Sequence, residues 1–541
     1  MNLNNRAVRF TAMIIIFILA AGLCSCGKEA GTAAVATAAP TPAATSEKTA
    51  DTINVVLPPD VNTTNPFFVT SRDLLGLYHL IFETLITTNE TGQPMSNLAQ
   101  TWSVDETGTV WTFTLRSGVY WHYTGREFEA KDVIFTLDLM DQIKEDSIHC
   151  QGMGYIRKWK EIDTKTVQIT TYEPFYGALF AMDFFILPYD VGYTVDPAVG
   201  PNLPVGTGPY VLAVYSPTEN ITLETNPQWW QEAPKVKRIV ALPYDDNSSA
   251  VSALSLSQLD VVQTDDLTVS QMRQQGNINT YEYTTMYYEF LAPNINSVYF
   301  QDKKVRQAIA YALNRDEIVS NVYINHAIVV DTPIPPTSML YDGKQLEYDH
   351  SLENAKRQLM LAGWQDTDGD GWLDVSPDGV DIDFSIVLLT NTNNEAPQRY
   401  EAALLIEDQL EKVGIKVTVR AEPWDVFTKM VEERNFDMLL AGWYMSDIPD
   451  FRFALSSGGA KNITGYSSQM MDELLDNMMK QGTPEKLVSA ANALAAQITD
   501  DVPIISLYFR THTLLTRSNI TNVTFVREES AFESIQDWKL N

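Results

Sequence analysis

The order of apolar patterns along the chain predicts an α/β fold of more than one lobe, on three grounds. The chain has 541 residues, 45% of them hydrophobic, and a core of that extent divides into roughly two to four lobes. Beyond about residue 303, apolar stripes at helical spacing alternate with short apolar runs. That order of strand, helix, strand, helix, strand is the pattern of a parallel sheet with covering helices. Aromatic residues make up 11%, which separates the chain from disordered sequences of low hydrophobicity.

The first element reads as a leader. Arg6 and Arg9 form a short basic region, and residues 10–23 are apolar. The run is shorter than the ~20 residues of a spanning helix and fits an export signal. It ends in "LCSC", with Leu23 three residues before Cys26 and Ser25 directly before it. This resembles the lipobox of bacterial lipoproteins, whose cysteine is diacylated and becomes the first residue after cleavage. Residues 1–25 are then the signal peptide and Cys26 the lipidation site. Cys24 is the poorer candidate, because bulky Leu23 would precede its bond. Cleavage removes Arg6 and Arg9 and takes the formal net charge from −31 to −33. Cys150 is then the one interior thiol; it has no intramolecular disulfide partner and reads as a packed or surface residue. Residues 26–52 are rich in Ala, Thr and Pro and read as a flexible tether spanning roughly 25–30 Å.

The body starts at "INVVLP", near Ile53, as a buried strand. "WTFTLR" from Trp111 alternates apolar and polar residues as a half-buried strand does. From Ala130 to Met140, Val133, Ile134, Leu137 and Met140 share one helical face. "YVLAVYS" (210–216) and "ITLETN" (221–226) read as a hairpin, and "SSAVSALSLSQLDVVQ" as helix then strand. Val305, Ile309, Ala312 and Leu313 mark a helix that continues to Ile318 and Val322. Then come a strand over 382–389, a helix over 401–413 stopped by Gly414, a strand from Ile415, a helix over 424–433 and an apolar strand over 436–443.

The acidic balance argues against nucleic acid, whose phosphates it would repel, and against a basic membrane-surface mode. No H-E-x-x-H, G-x-S-x-G, Walker A loop or Cys/His cluster of metal-ligand spacing occurs, so nothing supports an enzyme. One metal-like stretch appears, "DTDGDGWLD". Asp366, Asp368, Asp370 and Asp374 take positions 1, 3, 5 and 9 of a calcium loop with Gly371 at position 6, but Pro377 replaces the bidentate Glu at position 12. It is a weak calcium candidate, read first as a solvated acidic turn; otherwise no metal and no cofactor is expected.

Four stretches resemble one family together: "LAQTWSVDETGTVWTFTLRSGVYWHYTGREFEAKDV" (98–133), "PVGTGPYVL" (204–212), "NPQWW" (226–230) and "KVRQAIAYALNRDEIV" (304–319). They are similar to the extracytoplasmic solute-binding proteins of peptide and nickel ABC importers, family 5, of oligopeptide/dipeptide-binding type. The resemblance implies a periplasmic-binding-protein-like α/β fold, with two lobes, an extra subdomain and an interlobe cleft. It places lobe I at 51–85, 207–290 and 510–541, the extra subdomain at 86–206 and lobe II at 291–509, with a hinge near 291–294 and 506–511. The motifs themselves read as packing: the glycines of "GTGP" permit unusual backbone angles, and Arg306, Trp229 and Trp230 read as structural.

In open α/β lobes ligands bind beyond the carboxyl ends of strands, and the strand over 436–443 runs out into "YMSDIPDF". The family's peptide binders carry there an aspartate that pairs with the ligand's α-ammonium, separated from a Trp by two residues. Here Asp447 comes one residue later, which leaves Asp447 or Asp450 open. Trp443, Tyr444 and Trp424 are candidate aromatic walls, and Asn462 a donor to ligand backbone. The implied protein is a monomer, lipid-anchored on the extracytoplasmic face of the cell membrane, that captures peptides and delivers them to an ABC permease. The alternative keeps the receptor and changes the solute to a nickel chelate, haem, oligosaccharide or opine-like compound. An adhesin or sensor would lack a closable cleft, and a hydrolase would need a nucleophile–base pair in it.

Overall fold

The computed structural model describes residues 50–541 apart from 60, 62, 270, 271, 273–275, 344, 345, 377–379 and 529. The expected signal peptide, Cys26, nearly all of the tether, and Pro377 of the acidic turn lie outside the described residues. Among the described residues no helix is long and apolar enough to cross a membrane.

Eleven strands join in one mixed sheet. In chain order they are β1 (Thr52–Leu57), β2 (Tyr210–Ser216), β3 (Asn220–Thr225), β4 (Arg238–Pro243), β5 (Val261–Thr264), β6 (Ile278–Pro293), β7 (Ala327–Val329), β8 (Ser385–Asn391), β9 (Lys416–Glu422), β10 (Met438–Tyr444) and β11 (Ile505–Arg517). Their spatial order is β9-β8-β10-β6-β11-β5-β1-β4-β3-β2, with β7 beside β11. The parallel arrangement read from the sequence holds for β8 with β9 and β10, and also for β1 with β4 and β5. All other pairs in the sheet are antiparallel.

The apolar run of β10 follows from its position. Met438 and Leu440 pack with Val305, Ile309 and Ile406, on helices Lys303–Ala312 and Pro397–Glu411. Leu439 and Ala441 pack on the opposite face with Leu475 and Leu494, from helices Gln469–Met478 and Pro484–Asp501. A strand covered on both faces needs apolar residues at every position, not at alternate ones. Beside the β1 to β4 part of the large sheet, a separate four-stranded antiparallel sheet carries Ala99–Val104, Val110–Leu115, Thr166–Thr171 and Ile156–Asp163 in that order. Helix Ala130–Ile143 packs on it through Val133, Leu137 and Met140, and these share one core with Ile53, Leu223 and Ile239 of the large sheet.

Two expected elements are broken in the structure. The helix read from Val305 to Val322 is two, Lys303–Ala312 and Arg315–Val322, because the Asn314 side chain accepts from the Glu317 amide and starts a new helix. The strand read over 382–389 is a two-residue piece, Ile382–Asp383, followed by β8. Gly414 ends its helix with φ +88°, as read from the sequence. Cys150 is buried, and burial pushes its thiol up to about 11.

The family-like motifs hold the first core together. A Cβ at Gly206 would stand 1.9 Å from the Ile81 carbonyl oxygen, and one at Gly208 2.6 Å from that of Leu80. The glycines are therefore needed for close approach of two backbones. Trp229 and Trp230 donate their ring N–H groups to the buried Glu83 carboxyl, at 3.1 and 2.9 Å, and Thr207 adds a third bond at 2.8 Å. Arg306 is buried and donates to the carbonyls of Phe300, Gln301, Asp501 and Val502.

Candidate binding cleft

Strands β6 and β11 are the longest in the sheet, with 16 and 13 residues. They pair with each other along most of their length. The first part of β6 (278–284) pairs with residues 511–517, its last part (288–291) with residues 505–509, and the register slips between Thr284 and Tyr288. Beside the slip the fully buried Glu289 accepts from Arg399 Nε at 3.0 Å, Arg399 Nη2 at 2.9 Å and Arg510 Nη2 at 2.5 Å. This triad ties β6, β11 and helix Pro397–Glu411 at one point.

Three adjoining cavities open next to the slip, of about 480, 530 and 20 Å³, and all three are bordered by Met286 and Asp447. The largest has an apolar wall that includes Phe67, Val69, Phe180, Phe184 and Ile448, with Tyr444 at its side. The second is bounded by residues 88–92, by 281–284 of β6 and by the C-terminal stretch 523–528. Volumes of this size suit small solutes.

Asp447 follows β10 by three residues. Its side chain is exposed to the cavities but surrounded by protein atoms, which push its carboxyl up while Arg527 draws it down. The two aspartates differ in their partners. Asp450 already accepts from the Arg452 amide, Nε and Nη2 at 3.0, 2.9 and 2.7 Å and from the Tyr155 hydroxyl at 2.9 Å. It fastens the segment after β10 to Tyr155, 295 residues earlier in the chain. Asp447 has no hydrogen bond from any described residue.

Among the other sequence-nominated residues, Tyr444 is 52% exposed, lines the largest cavity and meets Tyr287 edge-on at 5.1 Å. Trp443 points to the other side of β10 and packs on Phe290 at 4.1 Å and Phe453 at 5.4 Å. Trp424 stands on the surface, stacked on Phe427 at 5.7 Å, and borders none of the three cavities. Asn462 is buried; its amide donates to the Ser456 and Tyr466 carbonyls and its oxygen accepts from Thr464 and Gly465. In the acidic turn, carboxylate oxygens of Asp366, Asp368 and Asp374 converge within 4.8 Å, without Asp370. Most of their oxygens accept from the turn's own backbone and Thr367.

Several cleft residues were not nominated by the sequence. Glu528 accepts from the Met286 amide at 2.9 Å and from the Tyr444 hydroxyl, and burial pushes its carboxyl up. Burial raises Asp183 to about 6, against the pull of Arg527 and a hydrogen bond from Thr84. Arg72 donates to His512 Nδ1 at 2.9 Å, and burial with Arg72 lowers that imidazole to about 4. Burial also lowers His79 and His149, both on the wall of the largest cavity. The dense aromatic run "TYEYTTMYYEF" of β6 was the available signal for this wall.

A solute-sized cleft beside two strands shared by both halves of an α/β sheet defines a two-lobed binding protein. Residues 93–465 match the family described as bacterial extracellular solute-binding proteins, family 5 (middle region), and the chain belongs to that family. It is 25% identical over 494 residues to oligopeptide-binding protein AppA of Bacillus subtilis, covering 88% of this chain and 89% of that one. It is 28% identical over 391 residues to the dipeptide-binding protein of Escherichia coli, covering 68% and 70%. The fold matches the structure of HbpA2 from Haemophilus parasuis with a TM-score of 0.78 at 18% identity, over 91% of this chain and 99% of that one. The chain is thus a solute-binding component of an ABC importer and not an enzyme.

Proposed function

We propose that this protein captures peptides by their α-ammonium group at Asp447 and delivers them to a membrane permease, held at the outer face of the cell membrane by a lipid on Cys26. The observation that carries the reading is the Asp447 carboxylate, which borders all three cavities and receives no hydrogen bond from the described residues. A cleft carboxylate without donors is stabilised by an ammonium group. Relatives named for oligopeptide and dipeptide binding support the ligand class. Tyr444 flanks the ammonium, and the apolar wall of the largest cavity takes a side chain. Lobe I is 51–85, 207–290 and 510–541, the extra subdomain 86–206 and lobe II 291–509. Bending near 291–294, at the end of β6, and near 506–511 of β11 opens the cleft, and a ligand touching both lobes favours the closed form.

The test is peptide titration followed by tryptophan fluorescence or calorimetry. Asp447→Asn should weaken binding by about 2–3 kcal/mol, the worth of a hydrogen bond to a charged group, and N-acetylation of the peptide should cost the wild type as much. Equal affinities for Asp447→Asn and wild type would refute the assignment. Cys26→Ala should release the protein from the membrane fraction; retention would refute the anchor. A second reading, a nickel chelate, is favoured by the neutral imidazoles of His79 and His149 on the cavity wall. Tight binding of nickel–histidine, unaffected by Asp447→Asn, would select it.

A further inference from the structure

The cleft holds more negative charge than one α-ammonium neutralises. Asp183, Asp447 and Glu528 come from three separate parts of the chain and all border the cavity of about 530 Å³ in the cleft. Asp183 and Glu528 each feel the charge of Asp447. The neighbouring cations are already engaged: Arg527 lies 3.8 Å from Asp183 and 3.2 Å from Glu533 and donates to Thr88, while Arg72 donates to His512. Around these two guanidiniums stand six carboxyl groups, those of Asp73, Asp183, Asp265, Asp447, Glu528 and Glu533. The facing imidazole of His512 is neutral and offsets none of it.

Resting on the reading that Asp447 receives an α-ammonium, we infer that the cleft selects short peptides with a second positive charge, a lysine or arginine side chain whose head meets Asp183 and Glu528. The cavity lining suits such a side chain. Phe180, Phe184 and Met286 of its lining take the methylene stem, and the carboxyls of Asp183 and Glu528 in the same lining take the head. A neutral peptide would leave the remaining carboxyls facing one another in an enclosed space, which like charges oppose.

The experiment compares two peptides of equal length, one with lysine and one with norleucine at the same position, titrated into the full-length mature protein at a pH above the ionisation of Asp183. The lysine peptide should bind about ten- to a hundredfold tighter, the worth of one charge-assisted contact, and its advantage should shrink in high salt. Asp183→Asn combined with Glu528→Gln should reduce the lysine-to-norleucine affinity ratio towards unity. If that variant does not fold, the salt dependence of the wild-type ratio decides. Equal wild-type affinities for the two peptides overturn the inference and leave the peptide-receptor reading in place. Binding of neither peptide overturns both.

Discussion

The Glu289 triad offers the most direct test of how the two halves are joined. Glu289 is 1% exposed and faces two guanidiniums through three bonds of 2.5–3.0 Å. Glu289→Gln keeps the shape and removes the charge. Arg399 and Arg510 are then left buried without a counter-charge, and the new amide nitrogen sets a donor against one of them. Breaking a buried pair by removing one partner costs roughly 3–5 kcal/mol. The retained carbonyl oxygen still accepts one bond, so the expected loss is about 3 kcal/mol, at the lower end. Urea unfolding followed by tryptophan fluorescence measures it. The pH dependence carries a sign as well. Against the push of burial, Arg399 and Arg510 hold the Glu289 carboxyl below its ordinary value. A depressed carboxyl contributes stability that is present above the unfolded value of ~4.3 and lost as pH falls through the folded one. The gap between wild type and variant should therefore narrow on acidification. A loss under about 1 kcal/mol, or a gap that widens in acid, would refute the reasoning.

Two further outcomes follow from the first core. Gly206→Ala would place a Cβ 1.9 Å from the Ile81 carbonyl oxygen; both sides are backbone, so a cost of about 3 kcal/mol is expected at the top of the overpacking range, read as a lowered midpoint of thermal unfolding, and an unchanged midpoint would refute the close approach. Burial raises Glu83 from 4.5 to about 7 in spite of its three donors. The folded state then binds this proton more tightly than the unfolded chain, so the stability it contributes is lost as pH rises from about 4.5 through about 7, by roughly 3 kcal/mol. Glu83→Gln should flatten that part of the stability–pH curve, and an equally steep curve would count against the assignment.

Most elements of the β9 end were legible because their patterns are local. The helix over 401–413 and its stop at Gly414 need only the 3.6-residue period and a positive φ. The break at Asn314 was less visible, because both flanking helices present apolar residues to the same core. Trp443 and Tyr444 show the limit for the site. Neighbours on a strand point to opposite faces, so one of the two had to be core. Only the partners of β10 decide that Trp443 meets Phe290 while Tyr444 meets the cavity. Asn462 reads as a free donor until the fold folds its loop back on itself.

What the sequence by itself determined was the set of local elements and, through a resemblance, the family and the loop that bears Asp447. The tertiary structure decided which carboxyls share that space. With 69 acidic residues in the chain, no local pattern distinguishes Asp183 or Glu528 from a solvated surface charge. Each becomes a cleft residue only because chain segments hundreds of residues apart close around one cavity, and burial there, not residue type, sets its electrostatic character.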